Sequence, residues 1–292
     1  MGTIIKSVAF FKPFLRKGIV SMTAQAAKQC LKYAGNGPEN LELLINTGVY
    51  SENHLSEPAL SALILNKIFR TSKTKAPLFQ NRKLFSFDLH NGGGGAMNAI
   101  QVIDGFLQTG QIDSGMVVAG DAKPNRGRTE NFKYVNGAAA ILLVKDRKDK
   151  GFVKFSTDTY PDYENDNKSM IDWGTGRFMF LNSQDNHFLN HCLECAEKSI
   201  RKFLKTLHLE TGQLDLILTS QTPRGFGPGL RKILCPERKK YFEEFHGEIY
   251  SAGLFYAMDK AVKSGQFRDA RNILLVTVGA GITVSLSLYV NA

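Results

Sequence analysis

Four consecutive glycines, Gly92 to Gly95, stand where a strand-like run, LFSFDL (84–89), gives way to an apolar helix-forming stretch, AMNAIQVIDGFL (96–107). Each glycine loses more conformational entropy on folding than any other residue, so a run of four needs a structural return. Glycine supplies positive φ and lets one backbone approach another closely. The run therefore predicts a tight strand-to-helix turn packed against a neighbouring element. A phosphate-cradling loop would need a Lys followed by Ser or Thr after the glycines, and none follows here.

The rest of the chain alternates strand-length apolar runs with amphipathic helices. Strands are predicted over 3–11, 41–49, 84–89, 115–120, 138–144, 152–159 and 214–220. A terminal hairpin over 272–290 turns through GAG at 279–281. Helices are predicted over 21–33, where Met22, Ala26, Ala27, Cys30 and Leu31 fall on one stripe, and over 96–107, 188–208 and 250–264. A further helix over 57–68 has Ser56 as its N-cap and Pro58 in its first turn. Such alternation with little filler reads as an α/β layered protein whose sheet is buried on both faces. The second half repeats the rhythm of the first, which suggests internal duplication. The polar stretch 159–169 marks the boundary, giving an N-terminal half over 1–160 and a C-terminal half over 161–292.

Length and composition narrow the class. With 292 residues, 43% hydrophobic and 10% aromatic, the chain has the make-up of a globular protein of one large or two medium domains. No apolar stretch reaches the roughly 20 residues of a membrane span, and residues 1–21 lack the pattern of a secretory signal, so a cytoplasmic location is expected. Four cysteines, Cys30, Cys192, Cys195 and Cys235, are too few for a disulfide framework. Cys192 and Cys195 lie inside an amphipathic helix with no second pair at zinc spacing, so they are read as packing residues, with no metal or cofactor expected. Lys and Arg number 37 against 27 acids, a net charge of +10 that raises encounter rates with anions without naming one. These charges are spread along the chain and are not interleaved with aromatics on a recognisable module, so nucleic acid is not the expected partner.

Five segments, in order, resemble the β-ketoacyl-ACP synthase III branch of the thiolase superfamily. They are FDLHNGGGGA with the helix and GMVVAGD strand behind it; YVNGAAAILL (134–143); LDLILTSQTP (214–223); FHGEIYSAG (245–253); and VGAGITVSLSL (278–288). The resemblance implies a thiolase-like α-β-α-β-α layered fold built from two pseudo-duplicated halves. It also implies an acyltransferase mechanism, in which a Cys takes an acyl group from a thioester and His and Asn side chains support decarboxylation and carbon–carbon bond formation.

In register, the Cys position is Gly93, the His position is Ser220 and the Asn position is Glu248, so none of the three groups is intact. Glycine cannot be acylated, serine lacks a basic nitrogen near neutral pH, and glutamate would set negative charge beside a developing enolate. Gly93, Gly94 and Gly279 could still offer backbone donors to a carbonyl oxygen. Only about ten residues, 12–21, separate the first strand from the first helix, too few for a lid over coenzyme A.

The resemblance therefore points to a triad-lacking member. Such a chain would support a Cys-bearing ketosynthase-fold partner as a heterodimer, or form a homodimer, and could meet acyl carrier protein or a coenzyme A thioester. A different class of reading is an acyl-thioester hydrolase or acyltransferase using Ser220 with His246 and Glu248, the residue types of a hydrolase triad. His90 and Asn91 beside the glycines are read as locally hydrogen-bonded side chains turned away from the pocket, with catalysis as the alternative.

Overall fold

The computed structural model describes residues 2–15, 17–53, 55, 57–70, 84–124, 129–146, 150–172, 179–234 and 247–291. Ser56, Cys235 and His246 lie outside the described residues. Strands β1 (Gly2–Phe11), β2 (Leu43–Asn46), β3 (Phe85–Asp88), β4 (Ser114–Asp121) and β5 (Gly137–Asp146) form one sheet in the order β3-β2-β4-β5-β1. Here β3, β2 and β4 run parallel, and β5 is antiparallel to both β4 and β1. Strands β6 (Gly151–Thr159), β7 (Leu216–Thr219), β8 (Asn272–Gly279) and β9 (Thr283–Val290) form a second sheet in the order β7-β8-β9-β6. In it β7 and β8 are parallel, and β9 is antiparallel to both its neighbours.

The second sheet thus repeats, in order and strand sense, the β2-β4-β5-β1 portion of the first. One expectation is corrected. The strand over 152–159, read as completing the first half, pairs instead with β9, with Val284 opposite Asp158. Sequence neighbours had suggested its grouping, but the edge it fills belongs to a hairpin more than a hundred residues downstream.

Period-two burial explains the layers. In β2, Leu43 and Ile45 face one core while Leu44 faces another; in β5, Ala139, Ile141 and Leu143 alternate with Ala138, Ala140 and Leu142 in the same way. The inner core contains α3 (Gly95–Gln108) and α6 (Gly253–Lys263), with side chains from both sheets around them. Outside the first sheet lie α1 (Ile19–Ala34) and α2 (Leu60–Phe69); outside the second lie α4 (Phe188–Thr206) and α5 (Phe226–Leu234). Five layers, α-β-α-β-α, result.

Local differences from the predicted elements have physical causes. The helix expected from residue 57 begins at Leu60, because its first amides are capped across the sheet by Asp88, which accepts from Leu60 N and Ser61 N at 2.8 Å each. The polar stretch at 159–169 forms a turn over Pro161–Tyr163 and enters an arm strand, Asn167–Asp172. That strand pairs with Met179–Gln184, which in turn pairs with Thr129–Glu130. Its polar residues Asp166, Asn167 and Asn182 are buried in this arm.

Candidate functional site

The strand-to-helix turn forms at the carboxyl ends of the parallel strands. Leu89 N donates to Asn46 O at 2.9 Å, the chain reverses with Gly92 at φ +51°, and Gly94 N donates to Asn91 O at 2.9 Å before α3 begins. The β8–β9 turn faces this elbow. A Cβ on Gly93 would lie 2.5 Å from the carbonyl oxygen of Val278, and one on Gly279 would lie 3.0 Å from Asn91 O. On Gly92 it would lie 2.9 Å from Tyr250 Oη. Two backbone turns are thus packed on one another with no layer of side chains between them. Gly93 itself has no need of positive φ; close approach is what it requires.

Ser220 stands on the other side of the same residue. Its Oγ donates to Thr222 O and accepts from Val278 N, both at 3.3 Å, and the side chain is buried. Gly93 and Ser220, which the sequence resemblance sets at the Cys and His positions, are brought together around Val278, and the Ser220 hydroxyl is committed to backbone. Glu248 is buried, with Oε1 3.0 Å from Lys133 Nζ. Lys133 also bonds the side chain of Gln184. The main chain of Glu248 holds Val135 N at 2.8 Å.

His90 is exposed, and Asn91 Nδ2 donates to Asn98 Oδ1 at 2.7 Å. Gly94 departs from its expected role: its N–H closes the turn on Asn91 and is not free to hold a substrate oxygen. His246, the expected base of the hydrolase reading, falls outside the described residues.

Sequence reading did not single out the elements that fill the space beside the elbow. Tyr50, Tyr134, Phe180 and Tyr250 form a buried cluster with Phe132 against it, ring centroids of Tyr134 and Tyr250 being 4.6 Å apart. The arm docks on it through Tyr50 Oη and Ser169 Oγ at 2.8 Å, and Asn182 Nδ2 also donates to that Oγ. Among the described residues, Tyr134 Oη, Asn167 Oδ1, Gln184 Nε2 and Glu248 Oε2 are buried and find no hydrogen-bond partner. Burial pushes the phenols of Tyr50, Tyr134 and Tyr250 up from their ordinary range.

Asp121 is the second omission. At the end of β4 its Oδ1 accepts from Val49 N and Tyr50 N at 3.2 and 3.1 Å, and its Oδ2 accepts from Ser251 N and Oγ at 2.8 and 2.6 Å. Burial raises its pKa while these hydrogen bonds pull it down. The only sequence signal was an Asp closing the apolar strand GMVVAGD. The three described cysteines are buried: burial pushes the Cys30 thiol to about 12 and that of Cys195 to about 11, and raises Cys192 also.

No protein-family model matches the chain. A β-ketoacyl-(acyl-carrier-protein) synthase III of Acidiphilium cryptum is 23% identical over 273 residues, covering 90% of this chain and 81% of that protein. The structure of 3-oxoacyl-(acyl-carrier-protein) synthase III from Aquifex aeolicus superposes with a TM-score of 0.81 at 16% identity, covering 99% of this chain and all of that one. A variant of OleA from Xanthomonas campestris gives 0.80 at 18% identity, covering 100% and 99%. The fold is that of the thiolase-like proteins. Relatives and structural neighbours of this chain include ketoacyl synthase III and OleA proteins.

Proposed function

We propose that this chain is a noncatalytic ketoacyl-synthase-III-like subunit. It would support a Cys-bearing partner of the same fold in fatty-acid-derived or polyketide-like biosynthesis in the cytoplasm. The observation that carries this reading is the 2.5 Å between a Cβ on Gly93 and the carbonyl oxygen of Val278. Beyond having no nucleophilic atom, this position has no room for one unless a backbone shifts. The hydroxyl of Ser220 joins two backbone groups, and the Glu248 carboxylate is occupied by Lys133.

Retention of the fold without its reactive groups fits a role exercised on another subunit. An edge suited to that role is β3, hydrogen-bonded to β2 alone among the described strands. Phe85 on it is exposed, stacks with Phe87 at 5.7 Å and meets Phe106 edge-on at 5.8 Å. Such an edge is a template for pairing with another chain.

The test is coexpression with a Cys-bearing protein of this fold encoded nearby, followed by size exclusion and an assay of thioester condensation. A one-to-one complex is expected, whose activity disappears when the partner's cysteine is replaced and survives Ser220→Ala in this chain. Turnover of acyl-coenzyme A by this chain alone, abolished by Ser220→Ala, would overturn the reading in favour of the hydrolase.

A further inference from the structure

We propose that the tip between β1 and α1 docks this protein onto an anionic lipid surface. This inference does not depend on the ketosynthase reading. The connection spans residues 12–18, and at its apex Phe14 is 101% exposed and Leu15 71%. Leu55, 39% exposed, lies in the loop after β2. Glu52 ties the two loops together, its carboxylate accepting Ile19 N at 3.0 and 3.2 Å.

A contiguous apolar group rimmed by polar residues on a protein surface marks an interaction site. Its shape and charge say which kind. Phe14 and Leu15 stand clear of the rest of the fold, so a protein partner would have to supply a matching pocket, whereas a bilayer interface deforms around a protruding ring and a branched side chain. Lys12 and Lys17 flank the pair and are exposed, with Lys17 Nζ 5.3 Å from the centre of the Phe11 ring.

Apolar side chains below the headgroups with ammonium groups at phosphate level is the arrangement by which peripheral proteins hold anionic membranes. The segment between β2 and α2 carries two acids, Glu52, engaged by the Ile19 amide, and Glu57, which is exposed and opposes part of the attraction. The net charge of +10 adds long-range attraction to the same surface.

Position gives the docking a consequence. Because β5 is antiparallel to both β1 and β4, β1 runs parallel to β2, β3 and β4. The tip therefore leaves the sheet at the same end as the Gly92–Gly95 elbow and the Tyr50 loop. Docking would turn that end of the molecule toward the membrane.

Co-sedimentation of the full chain with phosphatidylcholine vesicles, with and without one quarter phosphatidylglycerol, tests the proposal at low and high salt. Binding is expected to the anionic vesicles and to weaken with salt. Replacing both Phe14 and Leu15 by Ser should lower partitioning at least tenfold, since full burial of each such side chain is worth about tenfold or more. Lys12→Gln with Lys17→Gln should remove most of the salt-sensitive part. Lys205→Gln, on the outer face of α4, should change little. Circular dichroism of each variant, expected to match the wild type, separates loss of docking from loss of fold.

The proposal is overturned by an absence of sedimentation at low salt. It is also overturned if the Phe14 and Leu15 double variant binds as the wild type does, or if inorganic phosphate displaces the chain far better than chloride at equal ionic strength, which would mark a simple anion site.

Discussion

The two central helices share a close backbone approach at their starts but differ in what fixes it. α3 starts from a turn without side chains, where Gly93 and Gly279 let the backbones of the elbow and the β8–β9 hairpin touch. α6 also begins at a close approach, since a Cβ on Gly253 would lie 2.6 Å from Gln221 N. Its entry, however, is fixed by the buried carboxylate of Asp121, which gathers Ser251 and the Tyr50 loop. One helix start is set by packing, the other by a charge and its donors. The first tolerates no added atoms and is indifferent to pH; the second tolerates added atoms poorly too, but depends above all on a single titratable group.

The largest effect that would break this contrast comes from Asp121→Ala. It leaves buried amides and a hydroxyl unpaired and should cost about 3–5 kcal/mol in urea unfolding, since each hydrogen bond to a charged group contributes about 1.5–3 kcal/mol and losses at one centre are not additive. A loss below about 1 kcal/mol would mean that α6 is positioned by other contacts. Gly93→Ala should follow at about 1–3 kcal/mol, the usual cost of overpacking against backbone. Gly93→Cys should cost as much, and denaturing mass spectrometry after incubation with an acyl thioester should find residue 93 unmodified. A stable, acylated Gly93→Cys protein would show that the elbow has kept a working pocket.

A subtler distinction is the response to pH. Burial is the larger influence on Asp121 and raises its folded pKa above the unfolded value. Its titration therefore contributes stability that is present below the unfolded pKa and lost as pH rises through the folded one. Compared with Asp121→Asn, the wild type should gain relative stability as pH is lowered toward the ordinary carboxylate range, whereas Gly93→Ala should keep a constant offset from wild type. Equal pH slopes for wild type and Asp121→Asn would remove the difference in mechanism between the two helix starts. The smallest effect expected is from Lys133→Ala. Lys133 is one-third exposed and Glu248 largely buried, so loss of their pair should cost about 1 kcal/mol, readable from thermal melts.

Much of the fold is legible in the amino-acid order. The strands at 115–120 and 138–144 are near-continuous apolar runs because both of their faces are covered, and the helix at 188–208 shows a clean apolar stripe because one face meets solvent. The arm strands were not legible, since their polar residues gain burial only by pairing with segments far along the chain, as Tyr50 does with Ser169. α5 was missed for a related reason: its FGPGL start carries two glycines and a proline, which weaken any helical signal. At the candidate site, the glycine run announced a close backbone approach but not its partner. Val278 O, the atom that faces Gly93, belongs to a strand nearly two hundred residues away. His90 beside the glycines, read from sequence as turned away from the pocket with catalysis as the alternative, is exposed.

The sequence by itself determined the alternation of buried strands and amphipathic helices, the glycine turn and the lack of sulfur at residue 93, because these depend on local periodicity and on which atoms a residue owns. Only the tertiary structure decided that β6 belongs to the second sheet, that Ser220 spends its hydroxyl on Val278 and Thr222, and that Asp121 holds the start of α6. Each of these is an encounter between segments distant in the chain. Hydrogen-bond reach is about 3 Å, and nothing in the order of residues states which distant backbone will come within it.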